Sequence, residues 1–112
     1  MKIELKKDAK GIETVTLQGD LDFHSSPELR TEFVKLADVQ APAVLVDLSK
    51  VNYIDSSGLA AFVELFQKMK RYSGKLVLYN LSAGVKSVFE IAKLDSIFRL
   101  AASEKDALSL IA

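Results

Sequence analysis

The chain has 112 residues, with 15 Lys and Arg against 15 Asp and Glu, a formal net charge of +0, one His and no Cys. This length fits one domain spanning residues 1–112, large enough to bury something like two-thirds of its unfolded surface. The absence of Cys excludes disulfides and thiolate metal sites, and the charge balance argues against a nucleic-acid binder, which needs clustered positive charge facing phosphates. No apolar run approaches the roughly 18 residues that span a bilayer, and Met1 to Lys6 lacks an apolar signal core. A soluble, cytoplasmic domain is expected.

Ile3-Glu4-Leu5 alternates apolar and charged residues as a half-buried strand does, and Asp8 to Gly11 supplies turn chemistry. Ile12 to Gly19 continues the alternation through Val15 and Leu17, so the two segments read as an antiparallel pair. Ser26 is the expected N-cap of a first helix. Pro27 sits where a first-turn proline costs no hydrogen bond, and Glu28 favours the positive end of the helix dipole. Leu29, Phe33 and Leu36 follow at helical spacing, and Pro42 prevents further extension. Ala43 to Val46 is a continuous apolar run closed by Asp47, the pattern of a strand buried on both faces.

The longest helical segment runs from Ser56 to Tyr72, with Leu59, Phe62, Val63, Phe66 and Met69 as its apolar stripe. Gly74 stops it, and Lys75 to Tyr79 reads as a strand. A third helix carries Val85, Val88, Phe89 and Ala92. A short strand is expected near Ile97 to Leu100, and a closing helix over Glu104 to Ile111. The order is ββαβαβαβα. Strands separated by helices imply an α/β fold with a mixed, mostly parallel sheet, right-handed crossovers and an antiparallel opening edge.

The densest polar constellation is Tyr53-Ile54-Asp55-Ser56-Ser57-Gly58, between the buried strand and the long helix. A hydroxyl at a helix start lies where backbone N–H groups and the dipole favour negative charge. A phosphoserine there adds about −1.5 to −2 charge, opposed by Asp55 and by any nearby Asp20, Asp22 or Asp47. Taken alone, the residues favour a plainer reading, in which Asp55 or Ser56 is a helix cap worth about 1 kcal/mol.

Asp55-Ser56-Ser57-Gly58-Leu59, preceded by Asp47-Leu48-Ser49 and by Gly19-Asp20-Leu21-Asp22, resembles the STAS domain family, closest to the stand-alone anti-sigma-factor antagonists of bacteria. The resemblance covers essentially the whole chain, including its element order. It implies that Ser56, the first hydroxyl of the motif, is phosphorylated by a partner that is both a serine kinase and an anti-sigma factor. The unphosphorylated chain would bind that partner and free a sigma factor; phosphorylation would release it, and a serine phosphatase would reset the cycle. ATP belongs to the kinase, so no catalysis, cofactor or metal is implied for this chain. Asp55 and Asp22 are expected to border Ser56. Ser57 is expected to cap the helix, and Gly58 to remove bulk beside the acceptor.

On the long helix, Leu59, Ala61, Leu65 and Tyr72 are taken as an apolar patch for partner docking; the competing reading makes Ala61, Leu65 and Tyr72 the margin of the core. Other roles compatible with the resemblance are a module of another signalling assembly or a lipid-transport component. A serine hydrolase is disfavoured: His24 is the only imidazole, and no Gly-x-Ser-x-Gly elbow exists. A Mg²⁺-dependent receiver-like domain built on Asp20, Asp22 and Asp47 is a runner-up. Its expected βα opening and strand-terminal Lys are missing.

Overall fold

The computed structural model describes residues 1–111. Its elements are β1 (Lys2–Lys7), β2 (Ile12–Gln18), α1 (Ser26–Asp38), β3 (Ala43–Lys50), α2 (Ser56–Lys70), β4 (Lys75–Tyr79), α3 (Ala83–Ile91), β5 (Arg99–Ala101) and α4 (Glu104–Ile111). This is the expected ββαβαβαβα order. The strands form a five-stranded sheet in the order β1-β2-β3-β4-β5, antiparallel between β1 and β2 and parallel throughout the rest. The hairpin closes because the Asp8 carboxylate accepts from the backbone N–H of Lys10 at 2.8 Å and Ile12 at 2.9 Å, while Gly11 takes φ +85°, a conformation glycine adopts without strain.

The period of 2 along the parallel strands divides the interior into two layers. Val44, Val46 and Leu48 of β3, with Leu76 and Leu78 of β4 and Val15 and Leu17 of β2, belong to the larger core, which α1, α2 and α3 cover. Leu45, Val77 and Tyr79 belong to the smaller one, which Ala107 of α4 closes. Aromatic rings carry the larger core across the helices: Phe33 and Phe62 lie 5.3 Å apart, Phe62 and Phe89 6.1 Å, and Phe89 and Phe98 5.7 Å between centroids.

Several boundaries differ from the sequence reading; α2, for one, ends at Lys70 and not at Tyr72. Helix α1 has Ser25, not Ser26, as its N-cap; Ser26 is already helical and buried. The Ser25 hydroxyl donates to the Asp20 carbonyl at 2.7 Å and makes no bond to the helix N–H groups. Strand β3 runs three residues beyond Asp47, and its register with β2 slips between Thr16 and Gln18, where β3 accommodates one extra residue. The last strand starts at Arg99, because Ile97 and Phe98 are held in a turn by N–H bonds to the Leu94 carbonyl.

The loops leaving β2 and β3 are tied together. Leu21 and Ile54 form an isolated parallel bridge, in which Leu21 N–H donates to the Tyr53 carbonyl at 2.9 Å and Asp55 N–H donates to the Leu21 carbonyl at 3.0 Å. The first turn of α2 leans on the same segment. A Cβ on Gly58 would stand 2.7 Å from the Leu21 carbonyl oxygen and 2.8 Å from Ile54 Cγ1. Glycine is therefore required by close approach to a backbone atom that has no freedom to retreat.

Gly58→Ala is expected to cost about 1–3 kcal/mol, as overpacking does, in a denaturant unfolding curve. Gly84→Ala is the control, since nothing lies within 4 Å of the Cβ it would add; its stability should hold or rise. A second expectation concerns Tyr79, whose hydroxyl is pushed up to about 12 from the ordinary 10.0 by burial first, then by the Asp47 and Glu104 carboxylates. The folded state thus favours the neutral phenol. Its contribution is complete below pH 10 and is lost as pH rises from 10 to about 12, on the order of 2 kcal/mol in all. Tyr79→Phe should flatten that part of an alkaline stability profile measured by denaturant unfolding.

Candidate functional site

The site lies at the C-terminal edge of the parallel strands, where the β2–α1 and β3–α2 loops meet. Ligand and partner sites of open α/β sheets recur at this edge because helix N-termini and loop tips converge there. Asp55 is the N-cap of α2, in extended conformation. Its Oδ1 accepts from the backbone N–H of Ser57 at 2.8 Å and Gly58 at 3.2 Å. Two of the helix's unpaired donors are thereby satisfied. The cap is Asp55 and not the Ser57 hydroxyl, which corrects the role expected for Ser57; its backbone N–H is what takes part. Ser57 is half-buried, whereas Ser56, one residue earlier, is exposed. The motif thus divides its labour: Asp55 holds the helix start, Gly58 lets it approach Leu21, and Ser56 is left presenting its hydroxyl outward.

Asp22 sits in the neighbouring loop, brought alongside by the Leu21–Ile54 bridge. Its Oδ1 accepts from His24 N–H at 2.9 Å and Ser25 N–H at 3.1 Å, and its own N–H donates to Ser25 Oγ at 3.0 Å. These short bonds rigidify the loop and use Asp22 as a local cap. Asp47 accepts from Ser49 N–H at 2.9 Å and from Asn80 Nδ2 at 3.3 Å. Among the described residues no group of three His, Cys, Asp or Glu is gathered as a metal site would require. Of the aspartates in the receiver-like runner-up, Asp22 caps its own loop and Asp47 is held by Ser49 and Asn80. His24 stacks on Phe23, with centroids 4.0 Å apart, in an exposed loop.

The proposed docking patch on α2 needs correction. Ala61 and Leu65 are each 1% exposed, enclosed between α1 and the sheet. Arg30 Nε of α1 reaches Glu64 Oε2 of α2 at 2.7 Å, closing the groove over them. Leu59 is partly buried against the same core. Tyr72 donates its hydroxyl to the Ala41 carbonyl at 3.0 Å, which pins the end of α2 to the α1–β3 connection; burial raises its pKa above 10.0. Ala61 and Leu65 therefore belong to the core because α1 covers that flank of α2, while Leu59 and Tyr72 are partly buried at its margin.

What the sequence reading missed lies in the loops. Phe23 is 65% exposed and Tyr53 52% exposed. They occupy the two segments that the Leu21–Ile54 bridge holds side by side. The available signal was an aromatic residue placed directly after Asp22 and another opening the polar constellation, each outside any apolar periodicity.

The STAS domain model matches residues 5–107. The chain is 33% identical over 105 residues to the anti-sigma-B factor antagonist of Bacillus subtilis, covering 94% of each chain. It is 31% identical over 101 residues to that of Listeria monocytogenes, covering 89% of this chain and 88% of the relative. Among solved structures, an anti-sigma factor antagonist from Mycobacterium paratuberculosis superposes with a TM-score of 0.88 at 23% identity, over 98% of this chain and 92% of that one. The antagonist SpoIIAA in its unphosphorylated form superposes at 0.76 and 19% identity, over 98% and 97%. The sheet order, the helix that opens on Asp55-Ser56-Ser57-Gly58 and a family match over nearly the whole length agree: the chain belongs to the STAS domain family.

Proposed function

We propose that this chain is an anti-sigma-factor antagonist. In this reading it binds an anti-sigma factor that is also a serine kinase, frees a sigma factor, and is switched off when the kinase phosphorylates Ser56. It acts in the cytoplasm as a binding protein and a substrate, while ATP and the transfer chemistry reside in the kinase. A serine phosphatase restores the binding form. The observation that carries the proposal is the exposed Ser56 on the first turn of α2, immediately after a capping Asp55, in a chain whose relatives over nearly full length are named anti-sigma-B factor antagonists.

The geometry supports this in two ways. A kinase must draw the acceptor hydroxyl into its own active site, which an exposed first-turn serine permits and a half-buried one such as Ser57 hinders. The Asp55 carboxylate already occupies the N–H groups of Ser57 and Gly58. A phosphate on Ser56 would therefore face a carboxylate instead of vacant donors, and its charge would be directed outward. Inside a docked interface that charge is both desolvated and repelled by acidic groups, so dissociation follows. Phe23 and Tyr53 supply the apolar contact that the buried Ala61 and Leu65 cannot. They are large, aromatic and loop-borne, the kind of residue that anchors interfaces.

Incubation with a candidate anti-sigma-factor kinase and ATP should add one phosphate by intact-mass measurement. Ser56→Ala should abolish the addition and Ser57→Ala should retain it; the reverse pattern would move the acceptor to Ser57. Phe23→Ala and Tyr53→Ala should each weaken kinase binding about tenfold, equivalent to about 1.4 kcal/mol, with an unchanged melting temperature. Wild-type affinity in both variants would exclude the loop aromatics from the interface.

A further inference from the structure

The sheet has one long free edge. Strand β1 carries six residues and pairs only with β2 among the described residues; the opposite edge strand, β5, has three. The Asp8 N–H donates to the Ile12 carbonyl at 3.0 Å, which makes these two a hydrogen-bonded pair of the hairpin. Bonded and non-bonded pairs alternate along an antiparallel ladder. In the register of β1 with β2, the bonded pairs are then Lys6 with Thr14, Glu4 with Thr16 and Lys2 with Gln18. Ile3, Leu5 and Lys7 therefore turn their N–H and C=O groups away from β2, toward the open edge.

Along this edge the side chains alternate in sign. Lys2, Glu4 and Lys6 project from the face opposite Ile3 and Leu5. Lys2 Nζ lies 3.2 Å from Glu4 Oε1, an exposed pair that holds neither side chain firmly. Asp8 follows at the same spacing; its Oδ1 is engaged by the turn, and its Oδ2 makes no hydrogen bond among the described residues. On the other face Ile3 packs against the larger core, while Leu5 is 46% exposed. Lysines on an edge strand ordinarily keep other strands away. Here they are interleaved with acids, and that order is complementary to its own reverse.

We propose that β1 pairs antiparallel with β1 of a second copy of this chain, about a two-fold axis at Leu5. The backbone restricts the choice of register, because outward-facing residues must meet outward-facing residues. Placing Leu5 opposite Leu5 sets Ile3 against Lys7 and occupies every outward N–H and C=O group of the strand. The same register sets Glu4 against Lys6 and Lys2 against Asp8, each twice by symmetry. These are non-bonded positions, where cross-strand side chains approach most closely. The neighbouring registers fail on charge. One sets Glu4 against Glu4 and Lys2 against Lys6; the other sets Lys6 against Lys6 and Glu4 against Asp8. On the opposite face Leu5 meets Leu5, and the aliphatic stem of Lys7 lies over Ile3. A two-fold contact uses one patch on both copies, so assembly closes at a dimer. The result is one continuous sheet whose remaining edges are the short β5 strands.

Sedimentation velocity and amide hydrogen exchange of the full chain, each over a concentration series, test this. A monomer–dimer equilibrium is expected. The Ile3, Leu5 and Lys7 amides should gain about tenfold protection as the dimer forms, whereas those of Glu4 and Lys6, already bonded to β2, should change little. Glu4→Lys and Lys6→Glu, each with an unchanged melting temperature at dilution, should weaken dimerisation about tenfold. The double variant Glu4→Lys/Lys6→Glu should recover it, and an equimolar mixture of the two single variants should form the heterodimer. A chain that stays monomeric up to about 1 mM, where specific association is at its weakest, would overturn the proposal and leave the edge to solvent or to a strand of another protein. A dimer with those three amides unprotected, or single variants that dimerise like the wild type, would place the contact elsewhere and overturn it equally. Species larger than a dimer would contradict the two-fold closure. No kinase takes part, so the outcome is independent of the Ser56 reading.

Discussion

The arrangement of the β2–α1 and β3–α2 loops depends on one contact, the seating of Leu21 between Ile54 and Gly58. Leu21 donates its N–H to Tyr53 and accepts from Asp55 through its carbonyl, so both polar backbone groups of a fully buried residue are satisfied. Around that bridge the other choices follow. Gly58 must lack a Cβ because the Leu21 carbonyl oxygen occupies the place where one would project. With the α2 start held this close, Asp55 can turn its carboxylate inward onto the N–H groups of Ser57 and Gly58. Ser56 is then the residue left facing water. Its exposure is a consequence of how its neighbours are fixed, and it costs the fold nothing.

Much of this architecture was legible because its causes are local. The uninterrupted apolar run of β3, the alternation of β2 and the proline at the start of α1 each act within a few residues. So does the Asp-Ser-Ser-Gly run, whose capping carboxylate and its recipients are two and three positions apart. Boundaries were less legible where two neighbours had equal credentials. Ser25 and Ser26 both favour an N-cap, and the choice went to Ser25 because its hydroxyl is tied to the Asp20 carbonyl. Long-range causes were not legible at all. Ala61 and Leu65 read as an exposed patch because nothing nearby in sequence announces that Phe33 and Arg30 of α1 cover that flank. An apolar residue at the margin of a helix stripe looks the same whether a second helix or water meets it. Gly58 was expected to remove bulk beside the acceptor; the obstacle the structure shows at its Cβ position is the backbone of a loop more than 30 residues earlier.

The same constraint shapes how a charge at Ser56 would act. Helix starts commonly welcome phosphate because their N–H groups are unpaired. In this chain Asp55 has taken two of those donors and contributes a negative charge of its own, so a phosphate would gain less from the helix than position alone suggests. Its effect would fall on whatever surface lies opposite, since the Leu21 bridge holds the fold beneath in place. That favours a switch by interface electrostatics over a switch by refolding. It also separates the two ends of α2. The helix has 15 residues, a rise of about 21 Å from first to last, well over twice the distance of about 8 Å over which charges are screened at physiological ionic strength. Any coupling between the ends would have to pass through movement of α2 itself, which Tyr72 at one end and Leu21 at the other both resist.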